Sequence, residues 1–200
     1  MPNRALRRQT PAEERKGRGT GENWCLPSLD HPLLREPQRT IRRRQTLEKT
    51  PAGMSDQSPR EVLIRNTSRA ARVDAEAVKM LVHDLADHYR TNKGCSIVFV
   101  GDQRMRRYNG LYRAVNRTTD VLSFPSELND YLGDVIVSLP RVLEQAQNSC
   151  RPADEEARWL IIHGFLHLLG YDHESDRGQM RRCERRLMKR IRPRRLIRTE

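Results

Sequence analysis

Apolar positions are sparse before residue 60 and dense after it, and from there their spacing alternates between strand and helix periods. Glu61-Val62-Leu63-Ile64-Arg65-Asn66 reads as a strand. From about Asp74 to Arg90, Val78, Leu81, Val82, Leu85 and Tyr89 fall on one helical face, and Asn92 and Gly94 stop the helix. His83 and His88 lie on it five residues apart, out of register with each other, and read as surface or packing residues. Ser96-Ile97-Val98-Phe99-Val100 is a buried strand by its continuous apolar run. Asp102 suits the N-cap of the next helix, whose buried stripe is Met105, Tyr108, Leu111 or Tyr112, and Val115. Val121–Phe124 is a short strand ended by Pro125, and Gly133–Ser138 is another. Further helices are expected from about Pro140 to Gln147, from near Ala153 through the apolar Trp159–Leu169 segment, and from about Ser175 to Ile191. The last carries Met180, Cys183, Leu187 and Ile191 as its stripe. This order predicts an α/β (α+β) single domain: a small mixed, mostly parallel sheet of about four strands packed with about five or six helices. The short link from Phe124 to Gly133 allows one antiparallel pair.

Candidate chemistry concentrates in His163-Gly164-Phe165-Leu166-His167-Leu168-Leu169-Gly170-Tyr171-Asp172-His173, which holds three of the six histidines. His163 and His167, four apart, share one face of a helix. Gly170 suits a left-handed helix exit that could bring His173 back toward them. Three neutral imidazoles so arranged make an open metal site with a position left for water or substrate. The spacing H-x-x-x-H-x-x-G-x-x-H is similar to that of the metzincin zinc peptidases, except that Gly164 stands where those enzymes carry the general-base glutamate. The bland alternative is a buried helix whose histidines bond to neighbours; three histidines at this spacing favour one Zn2+ on His163, His167 and His173. Nickel, copper or iron accept the same ligands.

Net charge is +12 and the pI about 10.3, so an anionic partner is expected, whether RNA, DNA or a membrane surface. No apolar run reaches the length of a membrane span, and no signal peptide is visible. The four cysteines are scattered and read as reduced thiols of a cytoplasmic protein. Residues 1–53 hold twelve Lys/Arg and six Asp/Glu with few apolar residues. They read as a disordered basic extension or a misassigned start upstream of Met54. An arm for nucleic acid through Arg42-Arg43-Arg44 is a weaker reading. The folded domain is placed at 54–192 and a basic C-terminal tail at 193–200.

With these elements in place, the chain resembles the YbeY family of bacterial endoribonucleases over nearly all of residues 61–191. The blocks that carry the resemblance are Asn109-Gly110-Leu111-Tyr112-Arg113, Thr119-Asp120-Val121-Leu122-Ser123-Phe124-Pro125, Leu132-Gly133-Asp134-Val135-Ile136-Val137-Ser138 and the histidine block. Each of the first three is weak alone, whereas all four in this order are specific. The resemblance implies an α/β fold, a zinc ion on His163, His167 and His173, and cleavage of single-stranded RNA in 16S rRNA 3′-end maturation and ribosome quality control. It also implies contact with the small ribosomal subunit and its proteins, and Arg113 as the functional arginine beside His163. Composition alone would make Arg113 one exposed arginine among many.

The implied chemistry is coherent. A metal polarises a phosphoryl oxygen and acidifies a bound water, and a guanidinium suits phosphate. The general base is open between Asp172 and Asp134, though each also has a structural reading, as a partner orienting a ligand imidazole or as a turn cap. Arg181 to Arg198 hold ten Lys/Arg against Glu184, either a solvated face or an RNA-backbone contact. Pro193 is expected to break the helix and free the last arginines, so that deleting 193–200 weakens RNA binding. The competing functions are an assembly or RNA-binding factor with a structural metal, and a hydrolase of another substrate such as a peptide.

Overall fold

The computed structural model describes residues 60–172 and 176–198. The expectations for residues 1–53, for Met54 as a start and for His173 fall outside the described residues. The elements run β1 (Val62–Asn66), β2 (Arg72–Val73), α1 (Ala75–His88), β3 (Gly94–Val100), α2 (Asp102–Arg113), β4 (Val121–Pro125), β5 (Tyr131–Ser138), α3 (Leu139–Asn148), α4 (Ala153–Leu168), α5 (Gln179–Arg190) and β6 (Ile197–Arg198).

Four strands form a mixed sheet in the order β1-β3-β5-β4. β1 and β5 run parallel to β3, and β4 runs antiparallel to β5, the one antiparallel pair in this sheet. Strand periodicity divides the core between the two faces. Cys95, Ile97 and Phe99 of β3, with Val135 and Val137 of β5, join the larger cluster with α1, α3, α4 and α5. Val100 and Ile136, with Met105 of α2 and Leu122 of β4, form a smaller cluster on the opposite face. Helices therefore cover both faces, as a mostly parallel sheet requires.

Three local expectations are corrected. The N-cap of α2 is Gly101, not Asp102. Asp102 is instead the first helical residue, and its carboxylate accepts from Ser138 Oγ (2.8 Å) and Thr118 Oγ1 (3.3 Å), fastening α2 to the end of β5. On α2 the buried positions are Met105 and Asn109, whereas Leu111 and Val115 are exposed. On α5 the buried positions are Met180, Glu184 and Leu187, with Cys183 only partly covered.

The residues after Pro193 are also not free where they are described. β6 pairs with β2, and Leu196 and Ile197 are buried. Asp154 accepts from the Leu196 and Ile197 amides at 2.6 and 2.7 Å, while Arg194 pairs with Asp84 and Arg198 with Asp74. Strands of two residues have no readable period, which hid this pairing from the sequence. Among the described residues no helix is long and apolar enough to cross a membrane.

Candidate active-site cleft

Helix α4 is apolar nearly all round because it is buried nearly all round, against the sheet on one side and α3 and α5 on the others. The stripe Trp159, His163, His167 interrupts this burial at steps of four, one helical turn apart. The rings of Trp159 and His163 lie 5.5 Å apart, and those of His163 and His167 meet edge to face at 4.7 Å. Gly170, at φ +86°, ends the helix through the left-handed exit expected of it. Its amide donates to the His167 carbonyl (3.0 Å) and that of Tyr171 to the Leu166 carbonyl (3.1 Å).

Position 164 explains the missing glutamate. A β-carbon there would overlap Val135 Cγ1 and stand 3.1 Å from Ser123 Oγ. The residue after His163 thus points into the helix–sheet contact, where α4 crosses β5 and β4. Any β-carbon there requires Val135 to shift, so a side chain at 164 is disfavoured whatever its chemistry.

The imidazoles face an open cleft of about 810 Å³ between α4, the edge strand β4 and the C-terminal end of α2. His163, His167, Trp159, Asp172, Tyr112 and Arg113 line it. Arg113 is the last residue of α2, and left-handed Ala114 (φ 55°) turns the chain away after it. Buried Asn109 holds this turn. Its carbonyl accepts from the Ala114 and Val115 amides, and its side-chain amide donates to the Arg117 carbonyl at 2.7 Å. Asp120 anchors the start of β4, accepting from the Val121 amide (2.8 Å) and from Gln145 Nε2 (3.2 Å). The phenol of Tyr112 is pushed above its ordinary pKa by burial and by the nearby Tyr108 and Asp134, so it stays a neutral donor at the cleft wall.

Glu184 is the site residue that reading the sequence missed. It is buried on α5, and its Oε1 lies 2.7 Å from His163 Nδ1. A carboxylate accepts, so His163 donates from Nδ1, which leaves Nε2 facing His167. His167 Nε2 lies 3.1 Å from His163 Nε2. Two imidazole nitrogens bound tetrahedrally to one zinc at about 2.05 Å stand about 3.3 Å apart, so this donor pair fits a shared cation. Among the described residues no third metal-ligating side chain joins them, and His173 lies outside that set. The sequence did hold one signal for Glu184: it sits between Met180 and Leu187 at helical spacing, a carboxylate on an apolar stripe.

Of the two carboxylates considered as general base, Asp172 lines the cleft. Asp134 shares the opposite sheet face with Ile136, where it accepts from Tyr131 OH (2.7 Å) and from Ser96 Oγ. Its role there is to tie β5 to β3, not to reach the histidines.

Fold and site together define a small α/β protein with a histidine-paired, arginine-flanked cleft at a sheet edge. The family model for endoribonuclease YbeY matches residues 63–192. Among relatives bearing that name, the one from a Nitratiruptor species is 39% identical over 131 residues, covering 64% of this chain and 88% of its own length. The one from Desulforamulus reducens is 33% identical over 147 residues, covering 65% and 96%. The one from Helicobacter pylori is 39% identical over 112 residues, covering 55% and 79%. The chain belongs to the endoribonuclease YbeY family. The four sequence blocks meet on one structure: three of them wall the cleft, and the Leu132–Ser138 block is the strand beneath α4.

Proposed function

We propose that this protein is a metal-dependent endoribonuclease that cleaves single-stranded RNA at the α4 cleft. Its activity belongs to 16S rRNA 3′-end maturation, in contact with the small ribosomal subunit. The observation that carries the reading is the pair of converging His163 and His167 Nε2 atoms in a cleft shared with Arg113, in a chain of this family. His163, His167 and His173 would hold one zinc ion. Bound there, zinc supplies electrostatic stabilisation of phosphoryl charge and a water acidified toward neutral pH.

The chain's own groups do the rest. Glu184 holds His163 in the tautomer that offers Nε2. Arg113 offers its guanidinium to a non-bridging phosphate oxygen, where paired N–H donors strengthen as charge develops. Asp172 and Asp120 are carboxylates on the cleft wall; Asp120 accepts from Val121 and Gln145, and Asp172 is assigned to take a proton from the nucleophile. Trp159 and Tyr112 give the cleft aromatic surface for an unstacked base, which favours single strands.

The test combines metal analysis with cleavage of a single-stranded RNA, using the full chain and His167→Ala, Arg113→Ala and Asp172→Asn. About one zinc per wild-type chain is expected, lost with cleavage in His167→Ala. Arg113→Ala should keep the metal and lose roughly 100-fold in rate. A wild type that binds zinc and RNA yet never cuts, even with ribosomal substrate, would overturn the catalytic reading in favour of an assembly factor.

A further inference from the structure

We propose that the outer face of α5 is a docking surface for the phosphate backbone of RNA that runs on beyond the cleft. The inference rests on the reading of RNA as the ligand and adds where the strand goes. Helix α5 has two faces of opposite character. Met180, Glu184 and Leu187 face inward, and Glu184 contacts His163. Outward, Arg181, Arg182, Arg185, Arg186, Lys189 and Arg190 are all exposed. At 100° per residue they sweep a continuous half-turn of the helix surface, about 12 Å long from Arg181 to Lys189.

Two observations separate this face from an ordinary solvated one. First, the arginine–carboxylate ion pairs among the described residues lie off this helix, among them Arg60–Asp87 (3.0 Å), Arg141–Glu144 (2.6 Å), Arg194–Asp84 (2.6 Å) and Arg198–Asp74 (2.7 Å). Among the described residues none of the six on α5 makes an ion pair within 4 Å. Arg182 donates to the Arg177 carbonyl at 3.2 Å, and the nearby Asp176 carboxyl is lowered chiefly by the Met180 amide, with help from the Arg182 charge. Second, their placement costs helix stability. Arg181→Arg185, Arg182→Arg186, Arg185→Lys189 and Arg186→Arg190 are like-charge pairs at i,i+4, each unfavourable. Arg181 and Arg182 also stand near the helix N-terminus, the end whose dipole repels cations. Lys189 and Arg190, in the last turn, are favoured there.

A polyanion removes that repulsion by replacing condensed counterions with phosphates. Guanidinium predominance suits phosphate oxygens, which accept its paired donors. Because the inner side of the same helix holds His163, a strand bound on α5 is fixed relative to the reacting centre.

The test is binding, not cleavage. The probe is a single-stranded RNA long enough to cross both cleft and helix, with 2′-O-methyl riboses so that it cannot be cut. The variant carries Arg181→Gln, Arg185→Gln, Arg186→Gln and Lys189→Gln, which keep helix propensity and leave the cleft untouched. With folding checked by circular dichroism, the expected result is at least tenfold weaker binding at 0.1 M salt. The slope of log K against log salt should fall by about 3, on the basis of about 0.7 for each of the four lost phosphate contacts. Cleavage of a short oligonucleotide confined to the cleft should be unchanged. An unchanged slope overturns the proposal, as does an equal loss on the short oligonucleotide. An unchanged RNA slope with lost binding to phosphatidylserine vesicles overturns it in favour of an anionic bilayer. A wild type that cuts no RNA while the slope still falls would sink the proposed activity and leave this surface standing.

Discussion

Adding one methyl group at position 164 should destabilise the protein although it improves the helix. In a helix interior, Gly→Ala gains about 0.9 kcal/mol. Here the new Cβ would overlap Val135 Cγ1 and press on Ser123 Oγ at 3.1 Å. Val135 is fully buried in the centre of the sheet and cannot swing aside. Overpacking of this kind costs about 1–3 kcal/mol, so Gly164→Ala should lose about 1 kcal/mol net. For a domain of this size that is a Tm drop of about 4 °C. The decisive measurement is a double-mutant cycle with Val135→Ala, read by urea unfolding. Val135→Ala opens the space, so in that background Gly164→Ala should stabilise by about 0.9 kcal/mol, a coupling of about 2 kcal/mol. If Gly164→Ala stabilises equally in both backgrounds, the helix–sheet contact does not exclude a side chain at 164. The account of why this position carries no catalytic glutamate would then fail.

Three further outcomes are expected. Glu184→Leu should weaken zinc binding about 10–100-fold in a chelator competition, since it removes the acceptor that fixes the His163 tautomer; an unchanged affinity would show that the 2.7 Å contact orients nothing. Deleting residues 193–200 should lower stability by about 3–6 kcal/mol, as an upper estimate, because it exposes the sites of Leu196 and Ile197; a truncated chain with wild-type Tm would refute the docking of β6. The Asp74 carboxyl is held below its ordinary pKa by the Ala77 amide and then by Arg198, so its stabilisation is complete above the ordinary aspartate value and is lost as pH falls through the depressed one. Asp74→Asn should therefore lower Tm at pH 7, with the gap narrowing as pH falls below about 4; a gap that does not narrow on acidification would contradict this.

How far the sequence determined this protein depends on the range of each interaction. Periodicity is local, so the four central strands and five helices were legible to within a few residues, including the antiparallel β4–β5 pair that the short Phe124–Gly133 link permits. The His163/His167 pair was legible for the same reason, since i,i+4 on one helix needs no tertiary information. The left-handed exit at Gly170 was likewise local. What only the tertiary structure decided crosses between elements. The partner of His163 is Glu184, distant in sequence and on another helix, and the stripe of α5 alone could not choose it over Cys183. Asp134 and Asp172 were equivalent as carboxylates until the sheet turned one to the far face. Pro193 ends a helix by local sterics, but whether the chain beyond it is free depends on β2 and Asp154, both far upstream in the chain. The glycine at 164 was visible as a departure from a hydrolase pattern, yet its reason is the distance between α4 and Val135. Local spacing sets which side chains can share a face; only packing sets what that face meets.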